Sequence, residues 1–196
     1  ITASALGKSG ASDITVDFTD PEVVTTWPLC DTACINAGIG AEFNIDMQSV
    51  SVKSNVELFK CDTESCIIAD LTRVSISPDF IKPKNPQTNK TQYIVNFKPS
   101  TNLDLDSFYL AVIKGGTTSV NGTSLTKLNY DSTGNGTNDS FSWKFRTKQT
   151  GGICELDSVV TAPLVSRKNL VGATEGYSAQ ALSAPDACSP TGQILK

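Results

Sequence analysis

The chain has 196 residues, enough for one domain of ordinary size plus an extra segment or two small domains, and too few for a large multidomain enzyme. Hydrophobic residues make up 39% and charged residues 18%, so a core can form and wholesale disorder is excluded. A net charge of −4 argues against nucleic acid and anionic membrane as partners, and the absence of histidine removes every His-dependent nucleophile, zinc site and pH switch.

In chain order, Ile1 to Ser12 reads as a leading strand or linker, such as the last strand of a preceding module. Period-two alternation then dominates. It runs through Ile14, Val16 and Phe18, and again through Ile39, Ala41, Phe43 and Ile45. Val56 and Leu58 follow, then Val74 and Ile76, then Tyr93, Val95 and Phe97. Phe108, Leu110 and Val112 come next, and Phe141, Trp143 and Phe145 close the series. Short runs of this kind, bounded by Pro, Gly, Asn or Asp, are half-buried antiparallel strands. Ser49 to Val52 and Ser100 to Leu105 each have room for one helical turn. Asp79 to Asn89, with Pro83 and Pro86, reads as an exposed loop, and Gly115 to Thr137 as a long polar one. The expected architecture is all-β, an antiparallel two-sheet sandwich of about seven strands over residues 13–149. A boundary falls at Gln149-Thr150-Gly151-Gly152. Beyond it, Glu155 to Thr161 and Glu175 to Leu182 suggest two further strands. Residues 150–196 are too few for a sandwich of their own, so they are expected as a disulfide-stapled β segment or the start of a second domain.

Six cysteines, Cys30, Cys34, Cys61, Cys66, Cys154 and Cys188, form an even set with two close pairs, as in disulfide frameworks of oxidising compartments. Neighbour pairing is expected: Cys61 with Cys66 across a hairpin tip, Cys30 with Cys34, and Cys154 with Cys188. The last loop is the longest, and closing it is worth about 3–4 kcal/mol in the chain-entropy description. A four-cysteine metal site from Cys30, Cys34, Cys61 and Cys66 is the rival, though its spacings are looser than the usual knuckles. The chain begins at Ile1 rather than Met, and is read as a processed or excised product of a secreted or cell-surface protein. No run of 18 apolar residues is present to span a membrane. Asn89, Asn121, Asn135 and Asn138 each open an Asn-x-Ser/Thr sequon, a glycosylation site in a permissive host and otherwise a turn asparagine.

An ordered series of short motifs adds to this. Asp20-Pro21-Glu22-Val23-Val24, Pro28, Cys34-x-Asn36, Ile39-x-Ala41-x-Phe43, Asp46-Met47 and Ser49-Val50 lead it. Val56-x-Leu58, Leu103-Asp104 and Tyr109-x-Ala111-Val112 follow. Gly134-Asn135-Gly136 and Asp139-Ser140-Phe141-Ser142-Trp143-x-Phe145-Arg146-Thr147 end it. Over about residues 20–148 the series resembles the bacterial Ig-like domains strung in tandem along surface and secreted proteins. Cys154-x-Leu156-Asp157-Ser158-Val159-Val160-x-x-Pro163 is similar to the start of another such repeat. The resemblance implies a seven-strand sandwich serving as spacer, stalk or adhesive module, without catalysis.

Candidate chemistry is sparse. Asp131, Asn135 and Asp139, around Gly136, resemble part of a calcium loop, and turn chemistry explains the same residues. Asp104 and Asp106 could pair as glycosidase carboxylates if alternate residues of a strand, or lie at a solvated turn. Asp62 and Glu64 belong to a hairpin tip. Lys82, Lys84 and Lys90 form a mildly basic loop that would keep a sheet edge from pairing. Trp27 could stack on sugar or be buried at the end of the sandwich. The expected function is a non-catalytic structural or adhesive module of an extracellular bacterial surface protein or filament, with no cofactor unless calcium. Its partners would be neighbouring Ig-like domains or identical subunits joined by strand addition, and possible cell-surface glycans. The alternative is a carbohydrate-binding or accessory module of a secreted enzyme.

Overall fold

The alternating apolar residues become strands because each buries one face of a pleated ribbon. In this computed structural model residues 19–85, 88–162 and 177–196 are described in full, together with the backbone of 2–5 and 8–11. The expected strand through Ile14, Val16 and Phe18 lies outside the described residues. A hairpin of β1 (Thr2–Ala5) and β2 (Lys8–Ala11) comes first. The sandwich follows with β3 (Val23–Trp27), β4 (Gly40–Phe43), β5 (Val56–Cys61) and β6 (Leu71–Arg73). It continues with β7 (Asp79–Ile81), β8 (Tyr93–Asn96), β9 (Phe108–Lys114) and β10 (Ser140–Arg146). A second hairpin, β11 (Ser158–Ala162) and β12 (Ser178–Leu182), lies in the C-terminal segment. Among the described residues helix is confined to α1 (Ser49–Ser54) and one 3₁₀ turn at Ile68–Asp70. The turn expected at Ser100–Leu105 is not helical.

Two antiparallel four-stranded sheets face each other, in the orders β3-β4-β8-β7 and β10-β9-β5-β6. In immunoglobulin lettering these are A-B-E-D and G-F-C-C′, so the sandwich has Ig-like topology with eight strands. A second Ig hallmark accompanies the strand order. Tyr109 stands near the start of the F-equivalent β9, and its hydroxyl accepts the Asp104 N–H at 2.8 Å, five residues upstream. That is a tyrosine corner. Burial, ahead of the Asp104 N–H bond that opposes it, raises the Tyr109 pKa, so the phenol stays protonated.

Between the sheets lie Ile39, Ala41, Phe43, Leu58, Val95, Phe97, Trp143 and Phe145, all buried. The Phe97 and Trp143 rings meet edge to face with centroids 5.4 Å apart, and Tyr109 stacks on Phe145 at the same separation. One face expectation is corrected. Phe108, Leu110 and Val112 point away from this core, and Tyr109, Ala111 and Ile113 fill it. β9 is a central strand covered on both faces, so its apolar residues run without alternation and period two does not say which set faces in. Leu110 and Val112 form a smaller outer core with Cys61 and Cys66. A second correction concerns Asp79 to Asn89. Its first three residues are an edge strand, because Phe80 is buried against Phe43 with ring centroids 6.3 Å apart.

The chain enters at one end of the sandwich, where Thr126 N–H bonds the Pro21 carbonyl at 2.9 Å and Val120 N–H bonds the Asp46 carbonyl at 3.1 Å. At the opposite end, after β3, Ala33 runs parallel to the end of β10. Its N–H bonds the Arg146 carbonyl, and its carbonyl accepts the Lys148 N–H, both at 2.9 Å. The C-terminal segment docks at this end, close to Gly38.

Candidate functional site

The segment after β10 does not hang free. Cys30 bonds Cys188 across 158 residues of sequence, Cys34 bonds Cys154 across 120, and Cys61 bonds Cys66 across 5. The hairpin pair forms as its spacing suggests. The pairings Cys30–Cys34 and Cys154–Cys188 do not, because Ala33 is laid along β10 and presents both nearby cysteines to the tail. The cysteines are all spent in disulfides, so the four-cysteine metal alternative has no free thiolate. Three disulfides of this kind belong to an oxidising compartment.

Polar contacts complete the clasp. The Gln193 side chain is almost fully buried: its Oε1 accepts the Cys34 N–H at 2.8 Å, and its Nε2 donates to Asp186 Oδ2 at 2.7 Å and to the Thr32 carbonyl at 3.2 Å. Asn36 and Cys154 exchange two bonds, each of 2.9 Å. Gly38 N–H donates to the Ile194 carbonyl at 2.7 Å, and Lys196 N–H to the Asn36 carbonyl at 3.1 Å. Partial burial would raise the Asp186 pKa. The Gln193 amide, the Ser189 and Cys188 N–H groups and the Lys148 ammonium outweigh it and hold the carboxyl below its ordinary range. Cys34, Cys154 and Asp186 are the one grouping of three metal-ligating side chains among the described residues, and its two sulfurs are bonded to each other.

The tail hairpin lies over the outer face of the β3-β4-β8-β7 sheet and leaves a cleft beneath it. One lobe, of about 380 Å³, is bounded by Ile81, Ile94, Lys84 and Lys98 on the sheet side and by Ala162 and Ala179 on the tail. The second, of about 590 Å³, is walled by Trp27, Pro28, Gln193 and Ile194. The lobes share Gly38, Gln92, Val160, Gln180 and Ile194. Trp27 pairs with Gly40 across β3 and β4, and its ring rests where a side chain at 40 would stand. A Cβ there would lie 2.5 Å from Trp27 Cζ2 and 2.6 Å from the Val95 carbonyl, so only glycine fits. Trp27 is half-buried on this outer face and not inside the sandwich, and its buried Nε1–H has no hydrogen-bond partner.

The other candidates are dispersed. Asp131 Oδ1 and Oδ2 accept backbone N–H bonds from residues 133 to 136, and the Gly136 bond is 2.6 Å. Desolvation opposes these bonds, yet they keep the Asp131 carboxyl below its usual pKa. Asp139 accepts the Ser132 hydroxyl at 2.7 Å and N–H at 3.0 Å, and the Ser140 hydroxyl at 2.8 Å, which lower its pKa strongly. Asn135 Oδ1 accepts the Thr137 N–H at 2.8 Å. Each oxygen therefore faces donors of its own turn. Asp104 and Asp106 sit in the turn before β9, where Asp104 pairs with Lys60 at 2.8 Å and Asp106 with Arg146. Asp62 and Glu64 are exposed in the Cys61–Cys66 loop. Lys82 pairs with Asp46 at 2.7 Å, Lys84 donates to Thr91 Oγ1 at 2.7 Å, and Lys90 is exposed. Asn89, Asn121, Asn135 and Asn138 are all exposed. No helix among the described residues is long and apolar enough to cross a membrane.

Sequence reasoning missed the clasp residues Asn36, Asp186 and Gln193. A glutamine so near a chain end has no periodicity to mark it. No family model matches the chain, and no curated protein matches it. Among solved structures the chain is similar to the S-layer protein SbsC. Domains 1–6 of that surface layer protein align at a TM-score of 0.40 and 11% identity, over 91% of this chain and 19% of that one. The N-terminal part of the same bacterial protein aligns at 0.38 and 11%, over 91% and 33%. The chain thus spans a fifth to a third of the length of these neighbours.

Proposed function

We propose that this chain is a non-catalytic, load-bearing and adhesive module of an extracellular bacterial surface protein or filament. One observation carries the reading: the Cys30–Cys188 disulfide joins the segment leaving β3 to the C-terminal segment. A pull entering before residue 30 and leaving after residue 188 crosses that covalent bond. Of the sandwich only β3 then lies on the load path, and β4 to β10 sit inside the bridged loop. The Cys34–Cys154 bond repeats the arrangement inside it. The resemblance of residues 20–148 to bacterial Ig-like domains supports the placement in a tandem surface protein, and the disulfides support an oxidising compartment. The chain enters the sandwich at one end and its tail docks at the other, which suits modules joined in line.

Single-molecule stretching of the chain between protein handles tests this. A locked loop of 158 residues withholds roughly 52–57 nm of contour length. The oxidised chain is expected to show no extension step of that size. Dithiothreitol, or Cys30→Ser with Cys188→Ser and Cys34→Ser with Cys154→Ser, releases it. A step of about 50 nm in the fully oxidised chain overturns the load-bearing reading.

A further inference from the structure

We infer that the cleft between the tail hairpin and the outer face of the β3-β4-β8-β7 sheet binds an acidic polysaccharide, with Trp27 as the stacking platform and Lys84, Lys98 and Lys196 as the carboxylate-binding rim. This supplies the adhesive half of the reading above and is independent of load bearing, since a module can carry force without a ligand.

Size comes first. Lobes of about 380 and 590 Å³ that share a wall each fall within the range of ligand sites, and together suit something longer than one sugar ring. The walls then choose between a sugar chain and a peptide strand. A peptide added to a sheet needs unpaired main-chain groups. Here β4 and β8 are central strands of their sheet. β12 is bonded to β11 on one side and on the other to the terminal residues, through the Leu182–Ile194 bridge and the Leu195 N–H to the Ala181 carbonyl. Main-chain hydrogen bonding of these three strands is spent, and in these two sheets only the outer edges of β3, β7 and β11 keep free main-chain groups, so recognition across the cleft itself falls to side chains.

Those side chains suit sugars. An indole presents an apolar platform, and because the Trp27 Nε1–H is buried, with no partner among the described residues, it is the ring and not the donor that a sugar would meet. Gly40 stands against that ring because nothing larger fits, which lets the indole approach the sheet backbone closely. Gln180 provides a planar amide in the wall common to both lobes, able to donate and accept toward hydroxyls, and Gln92 beside it donates to Glu42 Oε2 at 3.0 Å, leaving one N–H and its carbonyl oxygen. Charge sets the class. Among the described residues three lysines and no Asp or Glu line the lobes, in a chain of net charge −4, and the one carboxylate bonded to a shared wall residue, that of Glu42, is held by Gln92 at 3.0 Å. Lys98 is paired with Asp79 at 3.0 Å, but among the described residues Lys84 and Lys196 donate only to neutral oxygens, of Thr91 and the Thr101 carbonyl. Two ammonium groups without a carboxylate at one rim favour an anionic ligand.

The probe is hexagalacturonate, with cellohexaose as the neutral comparison, titrated into the full oxidised chain labelled with ¹⁵N. The sequence has two tryptophans, so the spectrum carries two indole signals. Hexagalacturonate is expected to shift the Trp27 signal and leave that of Trp143, buried in the core, unmoved. Binding should weaken as salt rises. Lys84→Gln with Lys196→Gln, both surface changes, should weaken it roughly tenfold. Trp27→Ala should abolish it, with the Trp143 signal reporting that the fold is kept. No shift of Trp27 at millimolar hexagalacturonate, equal binding of cellohexaose, or affinity untouched by the lysine pair each overturns the assignment. None of these results bears on the stretching experiment.

Discussion

The two long disulfides are nested, and nesting makes their contributions interdependent in a calculable way. Closing 158 residues with Cys30–Cys188 alone removes unfolded-chain entropy worth about 5.1 kcal/mol, and closing 120 with Cys34–Cys154 alone about 4.9. Once the outer bond exists, residues 34 and 154 are already tethered by the remaining 38 residues of the ring (158 less 120). The two arms act in parallel as one loop of about 29, and the second closure is worth only about 3.6 kcal/mol. Removing the outer bond from the native chain should therefore cost about 3.8 kcal/mol, the inner bond about 3.6, and both about 8.7. The joint loss exceeds the separate losses by about 1.3 kcal/mol. Urea unfolding of Cys30→Ala/Cys188→Ala, Cys34→Ala/Cys154→Ala and the fourfold variant forms the double-mutant cycle. Undocking of the tail in the fourfold variant adds to the excess and leaves its sign unchanged. Strictly additive losses, or a joint loss smaller than the sum, would refute the nested-loop account.

Tyr109→Phe keeps the stack on Phe145 but strips the Asp104 N–H of its acceptor, so chemical denaturation should show a loss of about 1–3 kcal/mol. Gly40→Ala forces a methyl into the Trp27 ring and the Val95 carbonyl. A loss of about 1–3 kcal/mol is expected, with a red shift of tryptophan emission as the ring leaves the sheet. Asp186 has a depressed folded pKa, so its contribution is present above the unfolded value of about 3.9 and is lost as pH falls through the folded value. Asp186→Asn should accordingly flatten the stability profile below about pH 4, and an unchanged acid limb would contradict the assignment. Native-state hydrogen exchange should be fastest at the end opposite the clasp. There α1 lacks a side-chain N-cap bond and Val50 is 79% exposed, so uniform protection of both ends would count against the clasp as the main source of local stability.

How far the fold could be read from the sequence depended on how many faces each strand buries. Residues 141–145 alternate cleanly because β10 is an edge strand, and their inward set came out correctly. The same rule failed on β9, where Leu110 and Val112 are as buried as Ala111 and Ile113. β7 was hidden because three residues beside Pro83 look like loop, and only Phe80 meeting Phe43 makes them a strand. β3 had no alternation to offer, since a bulge between Val23 and Thr25 breaks its register. Cysteine pairing failed for a related reason. Sequence proximity predicts a disulfide when a hairpin brings two cysteines together, as at Cys61 and Cys66, and predicts nothing when a third segment lies closer.

The same limit governed the candidate sites. Asp131 and Asp139 read equally as ligands or as turn acceptors, since both roles want an oxygen beside glycines, and the direction of the neighbouring N–H groups distinguishes them. Trp27 offered two readings, sugar platform or buried core residue, and it is neither free nor enclosed: Gly40 sets it against the sheet while the tail hairpin roofs the space around it. That roof is anchored by Cys188 and Cys154 to the irregular segment that follows Trp27 itself. The bonds proposed to carry load also tether the segment that roofs the cleft. Reduction of the disulfides should therefore abolish hexagalacturonate binding together with mechanical resistance, even though no cysteine takes part in either wall of the first lobe.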